Sequence, residues 1–138
     1  MLLNDTEIRQ LCTAPLFYGN HPMIEPFSEA VSRDGIISYG LTSAGYDLRL
    51  GSNFYLFKPS QGVDIDPKRF KDMEYRRQVM EYIICGESGA FIIPPHSYVL
   101  GQSFEYLRMP RNLKGRCTGK STMARAGILI NTTPLEPG

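Results

Sequence analysis

The sequence predicts a mainly β protein built from short strands and many turns, with a few short helices. Three observations carry that expectation. Thirteen Gly and ten Pro stand among 138 residues, above the roughly 12% of average usage, and both types interrupt regular elements. Apolar and charged residues alternate through Tyr46-Asp47-Leu48-Arg49-Leu50, the period of a half-buried strand. Apolar runs are short and closed by proline, as Phe91-Ile92-Ile93 is by Pro94-Pro95.

The first element is a short helix. Asn4 can cap it, Glu7 follows three residues on as in a capping box, and Ile8, Leu11 and Cys12 form one apolar face;. Ala14-Pro15 stops it, because a residue before proline is pushed out of the helical region. From Pro15 to Asp34 the chain reads as loop, with Pro22 and Pro26 flanking Met23-Ile24-Glu25. Tyr46 to Leu50 is a strand with Asp47 and Arg49 on the face opposite the core, Gly51-Ser52-Asn53 a turn, and Phe54 to Phe57 the returning strand;. Lys68 to Tyr82 can form a helix with Phe70, Met73, Arg77 and Met80 on a loose shared face. Tyr98 to Leu107, Leu113 to Thr118 and Ile128 to Ile130 read as further strands.

At 15.6 kDa the chain suits one domain over residues 1–138;. A formal charge of +1 lacks the global signature of a nucleic-acid or anionic-membrane binder. No apolar stretch approaches the roughly 20 residues of a bilayer span, and acids at Asp5 and Glu7 spoil a signal peptide;. A cytoplasmic protein is expected. Cys12, Cys85 and Cys117 include no Cys-x-x-Cys pair, and His21 and His96 each lie beside proline, away from any cysteine. No zinc knuckle or redox dithiol is readable, and no metal ligands are assigned.

Charge is uneven locally. Between Tyr106 and Leu135 stand Arg108, Arg111, Lys114, Arg116, Lys120 and Arg125, with no acid. Such a window suits a compact anion such as a polyphosphate, although Arg108 and Arg111 read equally as solvated strand-face residues. Within it, Gly119-Lys120-Ser121 invites a Walker A interpretation. That motif needs a Gly where this chain has Lys114, and a long helix where Gly127 and β-branched residues follow;. The Walker interpretation fails. Gly119 still allows close backbone approach, Ser121 and Thr122 offer hydroxyls, and Lys120 and Arg125 offer charge. If Ser121 to Ala124 make one helical turn, Ser121 and Arg125 face the same side. From these residues alone, a phosphate-binding turn and an ordinary basic loop both stay open.

Ser43-Ala44-Gly45-Tyr46-Asp47-Leu48, the stretch from Gly119 to Gly127, and Thr133-Pro134-Leu135-Glu136-Pro137-Gly138 together resemble successive motifs of the dUTPase-like superfamily, and most closely the bacterial dCTP deaminases. Met23-Ile24-Glu25-Pro26-Phe27, Val63-Asp64-Ile65-Asp66-Pro67-Lys68 and the stretch from Glu105 to Asn112 support the resemblance, which covers nearly the whole chain. It implies a distorted jelly-roll-type β-barrel, a homotrimer with sites between subunits, and hydrolysis of dCTP to dUTP and ammonia in pyrimidine deoxynucleotide biosynthesis. Magnesium would ride on the triphosphate, and dTTP would be a feedback inhibitor.

Carried over by resemblance, Lys120, Ser121, Thr122, Met123, Ala124 and Arg125 hold the phosphates and shape the site. Ser121 also orients the attacking water, and Arg125 supports charge building on the base. Glu136 stands where most relatives have the Asp that bonds the deoxyribose 3′-hydroxyl. Met123 is a packing position, and Asp47 aligns with a carboxylate important in dUTPases but reads here as a structural partner of Arg49 or a neighbour. The zinc deaminase signature, His-x-Glu with Pro-Cys-x-x-Cys, is absent, so water activation is expected to be zinc-independent. The family's general-base glutamate falls beyond residue 138, so residues 1–138 are expected to be an inactive fragment lacking the C-terminal part of the barrel. The Gly-Lys-Ser-Thr form of the motif favours a deaminase over a dUTPase. A bifunctional dCTP deaminase/dUTP diphosphatase and a non-catalytic nucleotide-binding relative are the alternatives.

Overall fold

The computed structural model describes residues 2–14, 21–58, 64–86 and 89–138. Its contacts divide the chain into two units, Met1–Arg49 with Glu105–Gly138, and Leu50–Phe104. The expected loop at residues 15–20, and Val63 among the motif residues, lie outside the described residues. The fold is mainly β, with antiparallel strands and three short α-helices among the described residues. None of these helices is long and apolar enough to cross a membrane.

In the first unit, α1 spans Asp5–Thr13 and begins as the sequence dictates. The Glu7 N–H donates to Asn4 Oδ1 and the Asn4 N–H donates to Glu7 Oε2, both at 2.9 Å. Two N-terminal donors that a helix leaves without partners are thereby satisfied. The face carrying Ile8 and Cys12 is buried against Met23, Ile24 and Leu41, with Leu11, Tyr46 and Leu107 packed around them. Burial pushes the Cys12 thiol up to about 11, because a thiolate loses its hydration there.

The stretch expected to be loop contains β1, Ile24–Glu25, which pairs antiparallel with β7, Tyr106–Leu107. Val31 and Tyr39 form a further bridge. Proline on either side of Met23-Ile24-Glu25 limits β1 to two residues but does not prevent pairing. β2, Gly40–Thr42, and β3, Gly45–Asp47, close a hairpin through Ser43 and Ala44. Gly40 has φ +94, and a Cβ there would run into the Glu29 carbonyl, so the close approach of backbone to backbone requires glycine.

The second unit is a three-stranded antiparallel sheet in the order β5-β4-β6, with β4 at Leu50–Phe57, β5 at Met80–Ile84 and β6 at Val99–Ser103. The expected turn at Gly51-Ser52-Asn53 lies inside β4 instead. Its turn chemistry survives as a register shift against β6 between Leu50 and Phe54, because pairing on both edges of a central strand outweighs local preference. The expected helix from Lys68 to Tyr82 is also shorter. A 3-10 turn at Pro67–Arg69 precedes α2, Met73–Val79, and the chain passes directly into β5 at Met80. Asp72 caps α2 by accepting from the Glu74 and Tyr75 N–H groups, and the β-rich run from Val79 to Ile84 favours sheet beyond it. The buried face is Tyr75 and Val79 with Met80, against Phe57 and Phe70, while Met73 is exposed. The Tyr75 hydroxyl donates to the Asp64 carbonyl at 2.7 Å and accepts from the Asp66 N–H at 2.5 Å.

The expected strand from Tyr98 to Leu107 splits into β6 and β7, which join different sheets. Leu113 to Thr118 contributes a single bridge, Gly115 to Leu135, and Phe91 to Ile93 and Ile128 to Ile130 form no strand. The last of these keeps Leu129 89% exposed.

Candidate functional site

The segment from Lys120 to Gly127 makes one closed helical turn, the condition under which Ser121 and Arg125 share a side. α3 spans Ser121–Arg125. Its start is held by the Lys120 carbonyl, which accepts from the Met123 and Ala124 N–H groups at 3.0 and 3.1 Å. Its end is sealed by Gly127 at φ +80. The Ile128 N–H donates to the Met123 carbonyl and the Gly127 N–H to the Ala124 carbonyl, each at 3.0 Å. This is the double hydrogen bond of a glycine-terminated helix. Only five residues long, α3 is not the long helix of a Walker site;. A Cβ at Gly119 would meet Ile130 at 3.4 Å, an ordinary contact, so packing within the chain does not require glycine there.

Ser121, Thr122, Ala124 and Arg125 are exposed and Met123 is half-buried. Ser121 and Arg125, four positions apart on α3, share a side of it. Arg125 makes no ion pair among the described residues, and no side chain caps the start of the helix. The turn therefore presents two hydroxyls and a guanidinium outward, all of them able to donate to an anion.

Lys120 is placed differently from its neighbours. Its Nζ donates to the Ser38 carbonyl at 2.8 Å, to Ser38 Oγ at 2.9 Å, and to the Asp47 carboxylate. Asp47 is thus a structural partner, of Lys120 rather than of Arg49. Glu136 is engaged by another cation of the window. Beside the Gly115–Leu135 bridge it pairs with Lys114 at 2.9 Å, with both side chains exposed.

The acid-free window is acid-free only along the chain. Glu25 reaches Arg108 at 2.7 Å, Asp47 reaches Lys120 and Glu136 reaches Lys114. Arg108 is not a solvated strand-face residue: it is half-buried, its guanidinium lies 4.6 Å over the Tyr106 ring, and it also donates to the Pro22 carbonyl. Arg49 likewise does not face away from the protein interior. Its Nε donates to Glu105 at 2.6 Å, and Glu105 is 1% exposed. The alternation from Tyr46 to Leu50 carried no sign of this partner, which arrives 56 positions later. Ser38 was equally illegible, since its contribution is one carbonyl and one hydroxyl on Lys120.

Comparison with known proteins bears on the family of the chain. A family model described as dCTP deaminase-like matches residues 2–138. A protein of Acidobacterium capsulatum named dCTP deaminase is 46% identical over 115 residues, covering 83% of this chain and 58% of the relative. One of Granulibacter bethesdensis with the same name is 43% identical over 136 residues, covering 99% of this chain and 66% of the relative. A third, from Campylobacter jejuni, is 44% identical over 118 residues, covering 86% of this chain and 59% of the relative. The chain spans about three fifths to two thirds of the length of these relatives. With its motifs in order on a mainly β fold and the match running from residue 2 to residue 138, the chain belongs to the dCTP deaminase-like family.

Proposed function

We propose that this chain carries the nucleotide-binding part of an enzyme that hydrolyses dCTP to dUTP and ammonia, in the supply of deoxyuridine nucleotides, without zinc. The observation that supports it most is the α3 turn, with two outward hydroxyls and a guanidinium that makes no ion pair among the described residues, in a chain whose relatives are named dCTP deaminase. Ser121, Thr122 and Arg125 are donors suited to phosphate oxygens. Magnesium enters as part of the substrate, on the triphosphate. Met123 and Ala124 shape the turn, and Glu136 bonds the sugar after leaving Lys114.

In the reaction, water adds to C4 of the cytosine ring and the amino group departs as ammonia. The water's proton goes to a carboxylate, and a proton is delivered to the leaving nitrogen. Ser121 orients the water, and Arg125 keeps the carboxylate ionised. That carboxylate is assigned outside residues 1–138, so these residues alone bind nucleotide without turning it over. The working form is a cytoplasmic homotrimer with dTTP as feedback inhibitor. Exposed Ile128, Leu129 and Ile130 beside α3 support association between copies;.

The test is to supply dCTP and dUTP separately to protein that continues past residue 138 as the relatives do, and to follow ammonia and pyrophosphate. Ammonia from dCTP with no pyrophosphate supports the deaminase. Pyrophosphate from dUTP points to a dUTPase, and both products to a bifunctional enzyme. Binding of dCTP with neither product points to a non-catalytic relative.

A further inference from the structure

We propose that Lys120 is a positioning residue: its ammonium moors the α3 turn to Asp47 and Ser38 and does not itself pair with phosphate. The inference deepens the nucleotide assignment above and rests on it for the ligand. An ammonium has three N–H donors. Lys120 directs them to three acceptors, the Ser38 carbonyl, the Ser38 hydroxyl and the Asp47 carboxylate. Those acceptors stand 82 and 73 positions earlier in the chain. With the Lys120 side chain 26% exposed and that of Asp47 35% exposed, the pair is less screened than a surface ion pair.

A saturated ammonium has no donor left for a phosphate oxygen. Recruiting it would strip Asp47 and Ser38 of their partner and leave a partly buried carboxylate uncompensated beside a polyphosphate. The same residue starts α3 through its carbonyl, which accepts from Met123 and Ala124. Side chain and backbone of Lys120 thus join two things, the β2–β3 hairpin region and the first turn of the helix bearing Ser121 and Arg125. Asp47 acts on the candidate site through this link.

The two roles predict opposite signs for Asp47. If Lys120 moors the turn, removing Asp47 loosens it and weakens nucleotide binding. If Lys120 grips phosphate, removing Asp47 frees the ammonium, removes a repelling carboxylate, and leaves binding unchanged or tighter.

The test uses the 138-residue chain and its Asp47→Asn, Asp47→Ala, Lys120→Met and Asp47→Ala/Lys120→Met variants. Binding of dCTP and dCMP is measured by calorimetry, and amide exchange over residues 119–127 without ligand. The expected result is roughly three- to thirtyfold weaker dCTP binding in Asp47→Ala, with a smaller change for dCMP, a double variant no weaker than Lys120→Met, and faster exchange of the segment. Asp47→Asn, which keeps an acceptor for Lys120, should fall between Asp47→Ala and the parent. Unchanged or tighter dCTP binding in Asp47→Ala, beside weaker binding in Lys120→Met, overturns the proposal. If the parent binds neither nucleotide, the nucleotide assignment fails for this chain and exchange alone decides the mooring: faster exchange in Asp47→Ala supports it, and unchanged exchange overturns it.

Discussion

Arg49 and Glu105 hold each other at the two points where the chain leaves the first unit and returns to it. Glu105 Oε2 accepts from the Arg49 backbone N–H at 2.9 Å and Oε1 from Arg49 Nε at 2.6 Å. The Glu105 side chain is fully buried and that of Arg49 is 30% exposed. The arginine also lies 4.6 Å over the Tyr39 ring, and its carboxylate partner raises its pKa further above the ordinary value.

Removing the charged partner of a buried carboxylate is strongly destabilising even where other hydrogen bonds to it survive. Arg49→Met is therefore expected to destabilise the chain by about 3–5 kcal/mol, and Arg49→Met/Glu105→Leu by less than Arg49→Met alone. Urea unfolding of the two variants beside the parent checks this. A double variant at least as unstable as Arg49→Met would contradict it.

Cys12 makes stability fall at alkaline pH. Its thiol is pushed from 9.0 up to about 11 by burial, so the folded chain keeps a proton that the unfolded chain gives up between those values. The stabilisation is complete below pH 9 and is lost as pH rises toward 11, by an amount on the order of 2 kcal/mol. The parent's advantage over Cys12→Ala should shrink across that window. Parallel curves from pH 8.5 to 11 would show that Cys12 takes no part.

Gly127 closes α3 in the left-handed region, at φ +80, with open space where a Cβ would stand. Gly127→Ala should then cost about 1 kcal/mol through backbone conformation alone, and Gly127→Asn less. Thermal unfolding gives the magnitude, and faster exchange at the Ile128 N–H localises it. Equal stability of Gly127→Ala and the parent would remove the cap from the account.

Arg125 supplies an exposed charge on the turn, with no ion pair among the described residues. Charge-assisted hydrogen bonds contribute about 1.5–3 kcal/mol each, so Arg125→Ala should weaken dCTP binding roughly ten- to hundredfold with little change in unfolding. Retained affinity in that variant would overturn the assignment of the turn to phosphate.

Which features were legible in the sequence follows from how far apart their partners lie. The capping box joins Asn4 to Glu7, and every bond that closes the α3 turn spans five residues or fewer. Local geometry decides such elements, so residue type and spacing made the capping box legible and left the α3 turn open as one of two readings. Where pairing is long-range, local chemistry misled: Gly51-Ser52-Asn53 has turn composition but lies in a strand flanked on both edges. The β-rich stretch after Val79 ended a helix expected to continue.

The same division runs through the candidate site. By itself the sequence determined a mainly β protein, the motif order that marks the family, and a basic turn with two hydroxyls. Only the tertiary structure decided which of its cations are engaged, because Asp47 and Glu25 come to Lys120 and Arg108 from 73 and 83 positions away. A charge along the chain is a property of composition, but a charge available to a ligand is what remains after packing has brought every partner within reach.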